Sequence, residues 1–242
     1  ALKHAHEAVR LAPEDPNMLH LLGAAQALAG QTGPARSSLG RSSELAPDSP
    51  LPWLSLARDY LGQRDFKAAK EALEQVIALD SDHLAGNVHL GQLALFEGRF
   101  DDASEIASQL SSSRPNLPEG SLLAGEAHLR RKDFAGALAH FERAQRLRPS
   151  TLTVLRIAQI ERALGREDAA AWRIKAWGRA NPGDVIAVWL HAEQLLKDGE
   201  RQESRRLYES LLKRMPDNPV VLNNLAWLLA GEDLERAIQL AE

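Results

Sequence analysis

The 242-residue sequence has no cysteine. Disulfides, thiolate metal sites, iron–sulfur clusters and cysteine nucleophiles are therefore all excluded. Aromatic residues are scarce, at 5%, so whatever core exists is filled mostly by smaller side chains. No apolar run approaches the roughly 20 residues needed to cross a bilayer. No dense basic stripe exists either: 29 Lys and Arg against 33 Asp and Glu give a net charge of −4, with both signs interspersed. A surface for nucleic acid needs a concentrated positive field, so that partner class is not expected. There is no Gly-rich phosphate loop, no H-E-x-x-H and no G-x-S-x-G, and no Ser, His and Asp spacing singles out a triad. The expectation is no catalysis, no cofactor and no metal site. The chain starts at Ala1, without Met or a signal-peptide pattern, and reads as a segment whose targeting information lies outside it.

The hydrophobic fraction of 44% is ordinary, which argues against disorder. Length alone suggests one or two compact domains, but the internal pattern replaces that estimate. Pro13, Pro47, Ser81, Pro115, Pro149, Pro182 and Pro216 follow one another at steps of 34, 34, 34, 34, 33 and 34. The small residues Gly23, Ala57, Gly91, Gly125, Ala158, Ala192 and Ala226 keep the same period. So do Ala1, Ala35, Ala69, Ala103, Ala137, Ala170, Ser204 and Ala237. Three columns in register define a repeat, and a period of this length signals stacked supersecondary units. The one-residue loss between Pro149 and Ala158 falls at a loop and helix start. A second loss is placed at 230–233. Both fall where turns belong.

Each unit reads as two helices. In 118–149, Ser121–Leu129 is rich in helix formers, Lys132 and Asp133 make a polar turn, and Phe134–Ala144 carries apolar residues at i, i+3, i+4 and i+7. Pro149 ends the second helix. No segment alternates with period two, so no β-strand is expected. The small columns let the helices of one hairpin approach closely, beside Leu22, Leu56, Leu90, Ile157 and Leu225. One such hairpin cannot offset its own conformational entropy, so stability must come from stacked neighbours.

These features resemble the tetratricopeptide repeat. The best single match is Trp53, Leu56, Ala57, Tyr60, Ala69, Leu73 and Val76, with Ser81 where that family usually has proline. The resemblance implies an all-α, right-handed superhelical solenoid of antiparallel helix pairs across 1–242. It begins with the second helix of a truncated repeat (1–13), continues as 14–47, 48–81, 82–115, 116–149, 150–182 and 183–216, and ends in a partial repeat (217–242). The tail from Met215 to Ala237 is further similar to late repeats of bacterial tetratricopeptide lipoproteins that accompany exosortase (PEP-CTERM) sorting and exopolysaccharide export. That likeness implies the periplasm or outer membrane of a Gram-negative bacterium, with the cytoplasm as the alternative.

Family geometry also implies that the first helix of each hairpin lines a concave groove. The expected rows are His20, Leu54, Val88, Leu122, Leu155, Trp189 and Asn223; then Ala24, Arg58, Gln92, Glu126, Gln159, Glu193 and Trp227; then Ala27, Leu61, Leu95, Leu129, Arg162, Leu196 and Ala230. The expected partner-binding residues are Leu54, Arg58, Leu61, Val88, Gln92, Leu95, Leu122, Glu126, Leu129, Leu155, Gln159, Arg162, Trp189, Glu193 and Leu196. Their apolar members would hold side chains of a protein or peptide ligand, and the polar ones would bond its backbone. The alternative is that the leucines pack against the neighbouring repeat. Trp189 is the expected anchor. The two-carboxylate clamp of chaperone-binding relatives is not evident.

Three residues break the inter-helix columns. His128 and Glu161 stand where Tyr60 and Leu195 stand elsewhere, and His191 occupies a leucine column. A His128–Glu161 contact could titrate near neutrality or, with a third ligand, hold a metal; ordinary buried hydrogen bonding is the alternative. His4 and His6 lie about 200° apart on a helix and do not converge. The functional expectation is a non-catalytic interaction scaffold. The alternatives are the substrate-recruiting region of an enzyme such as a glycosyltransferase, or a homo-oligomer stacked through its repeat ends.

Overall fold

The computed structural model describes residues 1–241, and among them every regular element is helical. In the first compact unit, Ala1–Asp133, the helices are α1 (Leu2–Leu11), α2 (Pro16–Leu28), α3 (Thr32–Leu45), α4 (Pro50–Gly62), α5 (Phe66–Leu79), α6 (Leu84–Phe96), α7 (Phe100–Ser113) and α8 (Glu119–Arg130). The second unit runs from Phe134 onward. It holds α9 (Phe134–Leu147), α10 (Thr151–Ala163), α11 (Glu167–Ala180), α12 (Val185–Lys197), α13 (Arg201–Arg214), α14 (Pro219–Leu229) and α15 (Leu234–Ala241).

Local chemistry explains where the helices start and stop. Asp15, Asp184 and Asn218 each accept from two backbone N–H groups of the helix that follows, which satisfies donors that the first turn leaves unpaired. Pro16, Pro50 and Pro219 open helices, where a missing N–H costs nothing. Six first helices, all but α14, are followed by a left-handed residue: Gly30, Arg64, Gly98, Lys132, Gly165 and Gly199 have positive φ. The next N–H then bonds a carbonyl five residues back, as in Gln31 to Gln26, Asp65 to Tyr60 and Arg166 to Glu161. This C-terminal motif reverses the chain within three residues, so that α2–α3, α4–α5, α6–α7, α10–α11 and α12–α13 pack as hairpins.

The small columns lie at the helix contacts. Ala35, Ala57, Ala69, Ala103, Ala137, Ala158, Ala170, Ala192 and Ser204 are wholly buried; only Ala1, ahead of α1, is exposed. A Cβ on Gly23 would lie 2.6 Å from Leu39 Cγ, so α2 and α3 approach as closely as a glycine allows. In the first unit, Leu39, Leu56, Ala57, Leu73 and Leu93 form one cluster drawn from α3 to α6. In the second, Val188, Tyr208, Leu211, Val221, Leu225 and Leu229 join α12 to α14. Each cluster spans more than one hairpin, which is how repeats too small to fold alone stabilise one another. Full burial of each leucine is worth about 1.5–3 kcal/mol. Burial also pushes the Tyr208 hydroxyl up to about 12, and Asn224 Nδ2 donates to it at 2.8 Å.

Candidate interaction face

In the first unit, first helices of neighbouring repeats touch side by side, α2 against α4 and α6 against α8. His20 Nε2 lies 2.9 Å from Ser55 Oγ across the α2–α4 contact. The expected binding residues divide by row. Arg58, Gln92 and Gln159 of the middle row are exposed, and Glu126 and Glu193 half-buried. The flanking Leu54, Leu61, Val88, Leu95, Leu122, Leu129, Leu155, Arg162, Trp189 and Leu196 are all half-buried. Leu54 and Leu61 lean on the α3–α6 cluster, Val88 and Leu95 on the cluster of Ala107 and Leu123, and Trp189 and Leu196 on the α12–α14 cluster. These side chains share their surface between the stack and the face. The Trp189 indole turns its N–H inward, where it has no hydrogen-bond partner.

The face also has a row that the sequence reading did not include. In the first unit, Leu51 is 49% exposed in the first turn of α4. In the second unit, Leu152, Ile186 and Val220 are 69%, 49% and 41% exposed in the first turns of α10, α12 and α14. The signal was available, because these positions lie three residues ahead of the Leu54, Leu155, Trp189 and Asn223 row and so share its helix face. Trp227 is the more exposed indole, and the Arg201 guanidinium lies 4.3 Å from its ring centroid. Such a stack holds the ring in place and leaves its other face open.

Glu161 has the ordinary buried hydrogen bonding that its column position left as the alternative. Glu161 is buried with both oxygens taken by Arg173 of its own hairpin, at 2.6 and 3.0 Å, and Arg173 also reaches Glu142 at 3.4 Å. His128 Nδ1 instead lies 2.8 Å from Asp133 Oδ2. A buried carboxylate keeps its charge only beside a committed cation, and the facing helix supplies it. His191 is buried with Nε2 unpartnered, and burial holds its pKa below the ordinary histidine value. Among the described residues no three His, Cys, Asp or Glu side chains gather to hold a metal ion, so that use of His128 and Glu161 has no support. No described helix is long and apolar enough to cross a membrane.

The architecture is that of a helical-hairpin repeat protein presenting side chains from its first helices. Residues 60–125 match the family model of the tetratricopeptide repeat. It is 26% identical over 197 residues to DnaJ homolog subfamily C member 3 of Mus musculus, covering 81% of this chain and 36% of that protein. The chain thus spans about a third of the length of the curated relatives it matches. Among solved structures it is similar to a tetratricopeptide repeat protein from Parabacteroides merdae, with TM-score 0.65 at 13% identity over 95% of this chain and 91% of that one. It is also similar to PilF of Pseudomonas aeruginosa, with TM-score 0.64 at 18% identity over 90% and 97%. Both likenesses concern the fold.

Proposed function

We propose that the chain is a non-catalytic scaffold that holds a peptide or protein segment on the outward face of its first helices. The observation that carries this reading is the row Leu152, Ile186 and Val220. Three large apolar side chains stay exposed at equivalent positions of the successive first helices α10, α12 and α14, which also carry Gln159, Glu193 and the exposed Trp227. Apolar groups lined up next to polar ones suit a partner that buries alternate side chains and bonds its backbone between them. The same role extends to Leu54, Arg58, Leu61, Val88, Gln92, Leu95, Leu122, Glu126 and Leu129 in the first unit.

Photo-crosslinking tests this face. A benzoylphenylalanine at Leu152 or Ile186 should capture the partner, whereas one at Trp172, which is equally open but on the second helix α11, should not. Equal capture from Trp172 would overturn the reading. In the finer setting we propose, the scaffold serves protein sorting or exopolysaccharide export in a Gram-negative envelope; the likeness of the Met215–Ala237 tail to envelope lipoproteins supports this. Fractionation of the native cell that found the protein only in the cytoplasm would remove it. The greater length of the curated relatives favours a second reading, in which these repeats recruit substrate for a larger protein such as a glycosyltransferase. Leu234 and Ile238, exposed on α15, support self-association through a repeat end, which sedimentation velocity reads directly.

A further inference from the structure

The first unit carries a more specific feature. Helices α2 and α6 contain no charged residue, and α4 contains only Arg58 and Asp59. Asp59 is neutralised from the second helix: Arg36 Nε donates to its carboxylate at 2.6 Å, and the same guanidinium lies 4.3 Å from the Tyr60 ring centroid. Arg58 is exposed and has no ion-pair or hydrogen-bond partner among the described residues. The one unneutralised charge on this three-helix face is therefore a cation. The imidazoles nearby add no negative charge. His20 is bonded to Ser55, and burial holds both His20 and His89 below the usual histidine range, with the charge of Arg58 adding to the effect at His89.

Arg58 stands on the rim of a cavity of about 410 Å³ between the first two hairpins. Its apolar wall is Ala24, Ala27, Leu28 and Gly62, and Leu28 is 90% exposed. That volume falls within the roughly 300–1,000 Å³ of ordinary ligand sites. A leucine-sized side chain can occupy the wall while a neighbouring carboxylate reaches the guanidinium. Arginine pairs with a carboxylate through two parallel N–H donors, and such charge-assisted bonds are roughly twice as strong as neutral ones. No carboxylate on α2 or α6 competes for it, and the only one on α4 is already committed.

We propose that the face of α2, α4 and α6 is a subsite for an internal peptide segment with an acidic side chain next to an apolar one. Arg58 binds the carboxylate and the Ala24–Ala27–Leu28 wall binds the apolar group. This rests on the scaffold reading and names the chemistry of the partner at the first unit. The equivalent cavity of the second unit is built differently: Arg162 is bonded to Gln194 at 2.8 Å and lies 3.6 Å from Glu167, and Lys197 shares the lining with three carboxylates, Glu167, Asp168 and Asp198.

Two synthetic pentapeptides, acetyl-GLELG-amide and acetyl-GLQLG-amide, test the subsite by titration into the ¹⁵N-labelled chain. Both are capped, so the only carboxylate is the glutamate side chain. The glutamate peptide should shift the Arg58 Nε–H signal and the amides of Gly30 and Gly62. It should also bind about tenfold tighter than the glutamine peptide, as expected for one charge-assisted pair. Arg58→Gln should erase that preference and Arg162→Gln should keep it. Leu28→Ser, at a side chain too exposed to affect folding, should weaken both peptides alike. Equal affinities for the two peptides, a preference that survives Arg58→Gln, or signals confined to α10 and α12 would each overturn the proposal. Crosslinking from Leu152 and Ile186 reports on the scaffold separately. Partner capture there with no glutamate preference here would remove the acidic subsite alone; a glutamate preference without capture there would leave the subsite standing and remove the broader face.

Discussion

The cavity beside Arg58 and its counterpart in the second unit use the same helix positions 135 residues apart. Where the first has Ala27, Thr32, Gly62 and Gln63, the second has Arg162, Glu167, Lys197 and Asp198. One is apolar with a free cation at its rim. The other carries three carboxylates, Glu167, Asp168 and Asp198, around its cations, and hydrogen bonds join Arg162 to Gln194 and Gln194 to Asp198. The hairpin interiors differ in the same way. Ser38 Oγ donates to Gln26 at 2.8 Å in the first unit; the equivalent pair in the second is Arg173 with Glu161. Backbone geometry is fixed by the small-residue columns and the turns, so the polar positions are free to diverge. The repeat thus sets where side chains stand, and each unit decides which of them are left for a partner.

The largest expected effect tests that divergence. Glu161→Ala leaves Arg173 part-buried without its main counter-ion and should cost about 3 kcal/mol, in the range for a broken buried ion pair. The matching Gln26→Ala should cost only about 1 kcal/mol, the usual net worth of a neutral hydrogen bond. Urea unfolding followed by circular dichroism measures both. Equal costs would mean that the two polar pairs are interchangeable and the comparison empty. Replacing Glu161 and Arg173 together by leucine should recover most of the loss, because the penalty lies in the orphaned charge.

A histidine variant should separate the acid responses of the units next. Burial keeps His191 neutral in the fold, aided by the positive charges of Lys175 and Arg179 on α11 and opposed by Glu200 and Glu203 at the α12–α13 side. The unfolded chain takes up that proton first, below about pH 6.5. Stability is therefore full above that pH and is lost as the pH falls through the lower folded pKa. His20 and His89 act in the same direction in the first unit. His191→Leu should flatten the acid sensitivity of α11–α13 and leave that of α2–α6 unchanged, read by residue-resolved hydrogen exchange at pH 5 and 7. An unchanged profile in α11–α13 would show that the imidazole does not control it.

The periodic features were legible because they are imposed by close approach, which only small residues tolerate. Gly23, Ala57 and Ala170 could be read as helix contacts from spacing alone, and each is buried. Proline and serine spacing likewise located the breaks between hairpins. The site was legible only in part. Face residues follow from helical periodicity, but the reading began one turn too late and missed Leu51, Leu152, Ile186 and Val220. Glu161 was matched to the neighbouring repeat, although its partner lies twelve positions along on the facing helix. The same columns hold Gln26 and Ser38, a recurrence that could have pointed to Arg173. Whether Arg58 is free and Arg162 is not depends on side-chain partners that spacing does not encode.

The smallest effect returns to the turns that end the first helices. The second unit has glycine at both of its left-handed turn residues, Gly165 and Gly199, whereas the first has Arg64 at φ 59° and Lys132 at φ 61° as well as Gly30 and Gly98. A side chain in this conformation costs about 1 kcal/mol or more, because Cβ crowds the following carbonyl. Neither residue hydrogen-bonds through its side chain in a way that repays this, since Arg64 and Lys132 point into solvent. Arg64→Gly and Lys132→Gly should therefore each stabilise the first unit by about 0.5–1 kcal/mol, reduced from the full strain by the greater freedom of glycine in the unfolded chain. Gly199→Ala should destabilise the second unit by about 1 kcal/mol for the same reason. Thermal unfolding resolves changes of this size. If the glycine variants of the first unit proved no more stable than the parent, the turns would not be where the two units differ in strain. The contrast between them would then rest on the polar positions alone.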